Sequence, residues 1–395
     1  MKNLLEKYSF YEEKDFFRTY NRLPIVIERG EGCYLYTDNG DKILDMFGGL
    51  AVNVLGYNHP KINGAIENQI KKYIHISNFF LQEKQIELAG KILGMTGYKK
   101  IFFSNSGTEA VEGAIKLTRK FFVGTNKKHL ISFSGSFHGR TLGALSLTAG
   151  KEYRNQFAPL LPNVKHLTFN SVDELKKNVN EYTAAIFIEC IQGEGGVNLV
   201  EQEFIDKINE LKAEYGFITV ADEIQSGVGR TGKLHGFEHF GLDADVVILA
   251  KGIGGGLPLG AIVGNERVEN VFAYGEHGST FGGNPVAAAC GLIIFDELEK
   301  GLMNRVNVIG KYLFDKLILL KQKYQSKIKE IRGKGLMIGV ELQSKGYPVM
   351  QKLLSNGILV NCTNVNVIRL LPPFIISKVD IDYFSDNFNK VLSEL

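Results

Sequence analysis

The sequence is poor in the features that mark several function classes. Its four cysteines, Cys33, Cys190, Cys290 and Cys362, lie far apart with no Cys-x-x-Cys pair. That spacing argues against a zinc site or a small disulfide framework and predicts reduced thiols. Neither sign of charge dominates. The formal net charge is +3 over 395 residues, with both signs interspersed, so there is no basic stripe for nucleic acid. No apolar stretch reaches the roughly 20 residues that span a bilayer. The first fifteen residues carry acidic groups and no sustained apolar core, which speaks against a signal or transit peptide. A cytoplasmic, soluble protein without membrane or nucleic-acid partners is expected. Internal repeats and low-complexity segments are lacking too. What is abundant is glycine, 44 residues, much of it clustered beside polar side chains, which points to loops closing on a small ligand.

Short apolar runs alternate with helical patterns from about residue 49 to 290: Lys100-Ile-Phe-Phe103, His129-Leu-Ile-Ser-Phe133, Ala184-Ala-Ile-Phe-Ile188, Ile218-Thr-Val-Ala221 and Val246-Val-Ile-Leu249. That alternation predicts an α/β fold, a mostly parallel central sheet flanked by helices, with ligands at the carboxyl ends of the strands. Residues 1–48 read as a lead-in with hairpin character that ends at the Asn39-Gly40 turn signal and packs with a smaller C-terminal unit. Residues 291–395 read as that unit, a small α+β domain of long amphipathic helices and the strands Leu336–Leu342 and Val367–Leu371.

Lys251 ends the run Asp245-Val-Val-Ile-Leu-Ala250 and opens the cluster Gly252-Ile-Gly-Gly-Gly256. An amine at the end of a buried strand has the lowered basicity that imine chemistry with an aldehyde needs. Asp222 ends an earlier run of the same type, so two strands deliver a carboxylate and an amine to one sheet edge. The pair suits pyridoxal 5'-phosphate, the lysine on its aldehyde carbon and the aspartate on its ring nitrogen.

Other motifs fill in the ligand. Ser106, Gly107 and Thr108 follow a strand and open a helix, so their amides and hydroxyls make an anion site, although a plain capped helix has the same signature. In Gly135-Ser-Phe-His-Gly-Arg-Thr-Leu-Gly143, Phe137 suits stacking on a flat ring and Arg140 a bidentate grip on a substrate carboxylate. Glu189 and Glu194 should lie near the edge that carries Asp222. Arg369 interrupts an apolar strand and needs an anion, either Glu194 or substrate. Two patterns fail. Gly227–Lys233 matches a phosphate loop until Leu234 replaces the magnesium-binding hydroxyl, and His235 with His239 lacks a third metal ligand, so no metal is expected.

Together, Ser104-Asn-Ser-Gly-Thr-Glu-Ala110, Phe137-His-Gly-Arg140, Asp222-Glu-Ile-Gln225, Lys251–Pro258 and Gly278-Ser-Thr-Phe-Gly-Gly-Asn-Pro285 resemble the class III pyridoxal phosphate aminotransferases, from about residue 20 to the C-terminus. The resemblance implies the fold type I architecture and a catalytic pair Lys251 and Asp222. It implies that Ser106, Gly107, Thr108, Phe137, His138, Gln225 and Thr280 bind the cofactor, Thr280 on the neighbouring subunit of a homodimer. Arg140, Glu194, Ser279 and Arg369 are implied as substrate-binding. The implied substrates are an acylated ornithine, with Gly49 leaving room for the acyl group, and 2-oxoglutarate, which becomes glutamate. Ornithine, lysine or 4-aminobutyrate as donor, and a non-catalytic scaffold, are the alternatives. Cys190 stands where many relatives carry proline, and a slight change of strand geometry is expected there.

Overall fold

The computed structural model describes residues 4–395. Its centre is a seven-stranded sheet with the spatial order Lys100–Ser104, Gly260–Gly264, Val246–Leu249, Ile218–Asp222, Thr183–Ile188, His129–Phe133 and Val164–Leu167. All neighbours run parallel except Gly260–Gly264, which is antiparallel to the strands on both sides. Thr183–Ile188, Ile218–Asp222 and Val246–Leu249 are buried at every position, as expected for strands covered on both faces. The five runs read from sequence are strands in the structure. Gly260-Ala-Ile-Val-Gly264 was not among them, because a five-residue run flanked by glycines carries little strand signal of its own.

Gly260 belongs there for a steric reason. A Cβ on it would sit 2.4 Å from the Ser106 carbonyl oxygen, so only glycine lets the antiparallel strand pass the turn that opens helix Gly107–Phe121. That helix buries Val111, Ile115 and Thr118 against the sheet, and Phe122 packs at its end. The N-terminal strands Ile27–Glu31, Tyr34–Thr37 and Lys42–Asp45 form an antiparallel meander, the last two joined through Asn39-Gly40. Ile358–Leu359 adds a fourth strand beside Lys42–Asp45, in parallel. A separate antiparallel sheet contains Ile328–Lys334, Met337–Leu342, Val367–Leu370 and Asn361–Thr363.

Two elements differ from the pattern expected. Helix Pro285–Glu297 runs through residues 290 and 291, and it is apolar all round, not amphipathic. It lies buried against helices Pro60–Ile70 and Glu83–Thr96. Gly48, Gly49, Leu50 and Ala51 all have φ between 59° and 68°, one turn of left-handed helix. For Leu50 and Ala51 that geometry costs on the order of 1–2 kcal/mol each. The turn is held by Asp45, fully buried, whose Oδ1 accepts from the Phe47 and Gly48 amides at 2.8 and 3.0 Å and whose Oδ2 accepts from the Tyr57 hydroxyl at 2.6 Å. No helix among the described residues is long and apolar enough to cross a membrane.

Candidate active site

The carboxyl ends of the parallel strands converge on a cavity of about 470 Å³. Asp222 is the last residue of its strand and Lys251 lies just beyond the adjacent one; Asp222 is in register with Ile248. The two strands therefore bring the amine and the carboxylate to one wall. Lys251 itself has φ 50°, a left-handed conformation that lets the chain leave the strand into the glycine cluster. Burial lowers the Lys251 amine to about 8, with Arg369 adding to the fall and Glu194, Asp222 and Glu189 opposing it. Such an amine is a nucleophile near neutral pH.

Asp222 is oriented from behind. Its Oδ2 accepts from His138 Nδ1 at 2.7 Å and its Oδ1 from the Ile224 amide at 3.1 Å. Burial lowers the basicity of the His138 imidazole, but the bond to Asp222 and its charge outweigh that and raise it. Glu189, one residue past its strand, accepts from the Phe137 amide at 2.9 Å and the Gly193 amide at 3.1 Å. Burial pushes its carboxyl up to about 7, with nearby His138 pulling it down and Asp222 pushing further.

At the far end of the cavity Ser106 caps helix Gly107–Phe121, its side chain accepting from the Glu109 amide. The helix is therefore capped as one reading expected, and the cap leaves the donors an anion site would need unused. Among the described residues the amides of Gly107 and Thr108 have no backbone or side-chain acceptor, and both residues line the cavity. Two free N–H groups at the positive end of a helix, with the Thr108 hydroxyl beside them, fit a phosphate. The whole donor set, lysine, buried aspartate and phosphate cradle, fits a phosphorylated pyridine aldehyde.

Arg369 is almost completely buried on strand Val367–Leu370 and meets Glu194 at 2.7 Å. Its remaining donors go to Gln225 Oε1 at 3.1 Å and to Asn361 Oδ1 at 2.7 and 3.1 Å. Burial raises the Glu194 carboxyl and the Arg369 guanidinium more than offsets this, leaving it below the usual carboxylate value. Arg140 is exposed at the cavity rim, its guanidinium 4.2 Å from the centre of the Tyr153 ring and 5.4 Å from that of Phe137.

Of the residues singled out from sequence, Ser106, Gly107, Thr108, Phe137, His138, Arg140, Glu194, Asp222, Gln225 and Lys251 line this one cavity, with Arg369 bonded to its wall. Ser279 and Thr280 do not. They border a second cleft with His75, Asn78, Phe79 and Gln85, where Thr280 is exposed and Ser279 Oγ accepts from Asn105 Nδ2 at 3.1 Å. Gly49 also lies outside. A Cβ there would press on the Asn53 amide at 2.7 Å, and Val52 is the cavity-lining residue of that segment. Asn361, Tyr153 and Val52 escaped the sequence reading. Asn361 pairs across the sheet with Arg369, so only strand register could have signalled it. Cys190 is buried and its carbonyl accepts from the Val200 amide, which ties the turn after its strand to the following segment. His235 is buried and His239 bonds the Thr231 carbonyl.

Residues 16–392 match the family described as Aminotransferase class-III. The chain is 45% identical to an acetylornithine aminotransferase of Aquifex aeolicus, over 92% of this chain and 96% of that protein. Its fold is similar to the crystal structure of acetylornithine aminotransferase from Elizabethkingia anophelis, with a TM-score of 0.89, 31% identity and all of both chains covered. It is similar also to an ornithine aminotransferase from Toxoplasma gondii with PLP at partial occupancy in its active site, with a TM-score of 0.92 and 29% identity over 98% of this chain and 94% of that one.

Proposed function

The chain belongs to the class-III aminotransferases, and from that membership we propose that it moves the δ-amino group of N-acetylornithine to 2-oxoglutarate. The products are N-acetylglutamate 5-semialdehyde and glutamate, a step of arginine biosynthesis, and the cofactor is pyridoxal 5'-phosphate. The donor follows from the relatives. The observation that carries the reaction is the buried Arg369 beside Lys251, neutralised by Glu194.

When bound, the cofactor supplies an electron-withdrawing ring conjugated with the amino group in transit. Lys251 Nζ would anchor it and, once freed, would take a proton from the carbon bearing that amino group and return it to the cofactor carbon on the other side of the nitrogen. Asp222, steadied by His138 and the Ile224 amide, offers a carboxylate to a protonated ring nitrogen. Phe137 would cover one ring face, Gln225 would stand by the ring's hydroxyl, and Ser106, Gly107 and Thr108 would hold the phosphate.

The two substrates make opposite demands. The donor carries no carboxylate beside its reacting amine, whereas glutamate and 2-oxoglutarate do. Glu194 neutralises Arg369 while the donor is bound and turns aside for the α-carboxylate of the acceptor, and Arg140 holds the distant carboxylate of the donor. Measuring both half-reactions separately by cofactor absorbance in the Glu194→Ala variant tests this. The donor half-reaction should fall by about 10-fold or more, as expected when a buried charge loses its partner, and the acceptor half-reaction should not; equal losses would refute the gate.

We read the active form as a homodimer in which Thr280 reaches the phosphate bound by the partner. The surface that supports this carries Ile74, Phe79, Phe80, Leu81, Tyr274 and Phe281, all exposed, around the cleft that holds Thr280. We take residues 1–48, 49–290 and 291–395 as the lead-in, the cofactor-binding domain and the small domain. The four free cysteines, three of them buried, fit a reducing compartment, and we place the enzyme in the cytoplasm.

A further inference from the structure

The turn that carries Glu194 is a thin wall. On one side is the cavity of Lys251; on the other is an open cleft of about 730 Å³ lined in part by Gly195, Asn198 and Arg332. A wall between two spaces should be free to move, and a carboxylate that alternates between two positions invites the picture of a loop that swings.

The hydrogen bonds contradict that picture. Three consecutive carbonyls of the turn are each held by a side chain. Thr363 Oγ1 donates to the Glu194 oxygen at 2.6 Å, Asn198 Nδ2 to the Gly195 oxygen at 2.8 Å, and Arg332 Nε and Nη2 to the Gly196 oxygen at 3.0 and 2.7 Å. From the opposite side Glu189 Oε1 accepts from the Gly193 amide at 3.1 Å. The backbone is wedged as well as bonded: a Cβ at Gly195 would lie 2.6 Å from the Gly135 carbonyl oxygen, and one at Gly193 would lie 2.5 Å from Gln225 Oε1.

We propose that Gly193–Gly196 is a fixed post, that Glu189 and Thr363 are positioning residues which hold it, and that gating is confined to rotation of the Glu194 side chain about its own bonds. The inference rests on the Glu194–Arg369 gate proposed above. It adds that the two loops lining the cavity are tied together, because the same Glu189 carboxylate accepts from Phe137 on one loop and Gly193 on the other. Loosening either tie lets the Glu194 carboxylate drift from Arg369. That harms the half-reaction needing a neutralised guanidinium and spares the one needing a free guanidinium.

The readout is the ratio of single-turnover rate constants, donor over 2-oxoglutarate half-reaction, in cofactor-loaded enzyme. Thr363→Val removes the donor to the Glu194 carbonyl while nearly conserving volume, and Thr363→Ser keeps it. Glu189→Gln keeps one accepting oxygen and turns an NH2 toward the other amide, so one loop must shift. The ratio should fall about 3- to 10-fold in Thr363→Val and in Glu189→Gln, as for a lost buried hydrogen bond, and return toward the parent value in Thr363→Ser. If Glu189→Gln does not fold, the Thr363 pair decides alone. An unchanged ratio in Thr363→Val, or an equal fall in Thr363→Ser, overturns the fixed post. If Glu194→Ala shifts the ratio while Thr363→Val does not, the gate survives and this inference fails. If Glu194→Ala leaves the ratio unchanged, the gate fails first and takes the inference with it.

Discussion

Replacing Asp45 should reveal how much the left-handed turn at Gly48–Ala51 depends on one carboxylate. In Asp45→Ala the Phe47 and Gly48 amides and the Tyr57 hydroxyl lose their acceptor. A buried donor left unpaired costs about 1–3 kcal/mol, so three of them suggest a loss of roughly 3–9 kcal/mol before relaxation. If the turn unwinds, Leu50 and Ala51 give back about 1–2 kcal/mol each, leaving a net loss of about 3 kcal/mol at the middle of both ranges. Asp45→Asn is the discriminating partner. Its oxygen still accepts from both amides, and the Tyr57 hydroxyl can rotate to accept from the new NH2, so the cost should stay near 1 kcal/mol. Burial raises the Asp45 carboxyl, against the opposing pull of Tyr57 and the amides. The folded chain therefore holds that proton more tightly than the unfolded one, and the charge costs stability as pH rises out of the acid range. Asp45→Asn, which cannot ionise, should compare better with the parent at pH 7 than at pH 4. Denaturant titration of the cofactor-free protein at both pH values gives the differences, provided the slopes match. A loss below about 1 kcal/mol in Asp45→Ala, or an equal loss in both variants, would refute the account of the turn.

Two further expectations concern the amine and the assembly. Lys251→Ala should fold, lose the imine absorbance and lose turnover. In the parent, the rate at which cofactor-free protein takes up pyridoxal phosphate should rise with pH to a half-maximum near 8, where the amine loses its proton. Because its folded value lies below the usual 10.5, this lysine penalises the fold below about pH 8 and the penalty fades between 8 and 10.5. A Lys251→Met variant of the cofactor-free protein should therefore be more stable than the parent at pH 7, and a less stable variant would contradict the burial. For the dimer, a double Phe79→Glu and Phe281→Glu variant should sediment as a monomer and bind cofactor more weakly. Unchanged mass would move the interface elsewhere.

Residues whose chemistry and strand position coincide were legible from sequence. Lys251 and Asp222 end apolar runs that could only be buried strands, and Arg369 stood out because an apolar strand has no use for a cation without an anion. Contacts made by register or by unusual backbone were hidden. Asn361 reaches Arg369 only because strands Asn361–Thr363 and Val367–Leu370 pair at that position. Leu50 and Ala51 carry no mark of a left-handed conformation, so the direction in which Gly49 faces could not be seen. Ser279 and Thr280 lie away from the cavity of their own chain; for Thr280 the resemblance implies a place on the neighbouring subunit, whereas the position of Ser279 carries no mark in the sequence.

The sharing of one sheet by residues 27–45 and residues 358–359 has a consequence for biosynthesis. During translation the early meander waits for its fourth strand until Leu359 has left the ribosome, a long-range closure of the kind that slows folding. Arg369 emerges later still. A nascent chain thus holds Lys251 long before it has the cation that pairs with Glu194 at the wall of the same cavity.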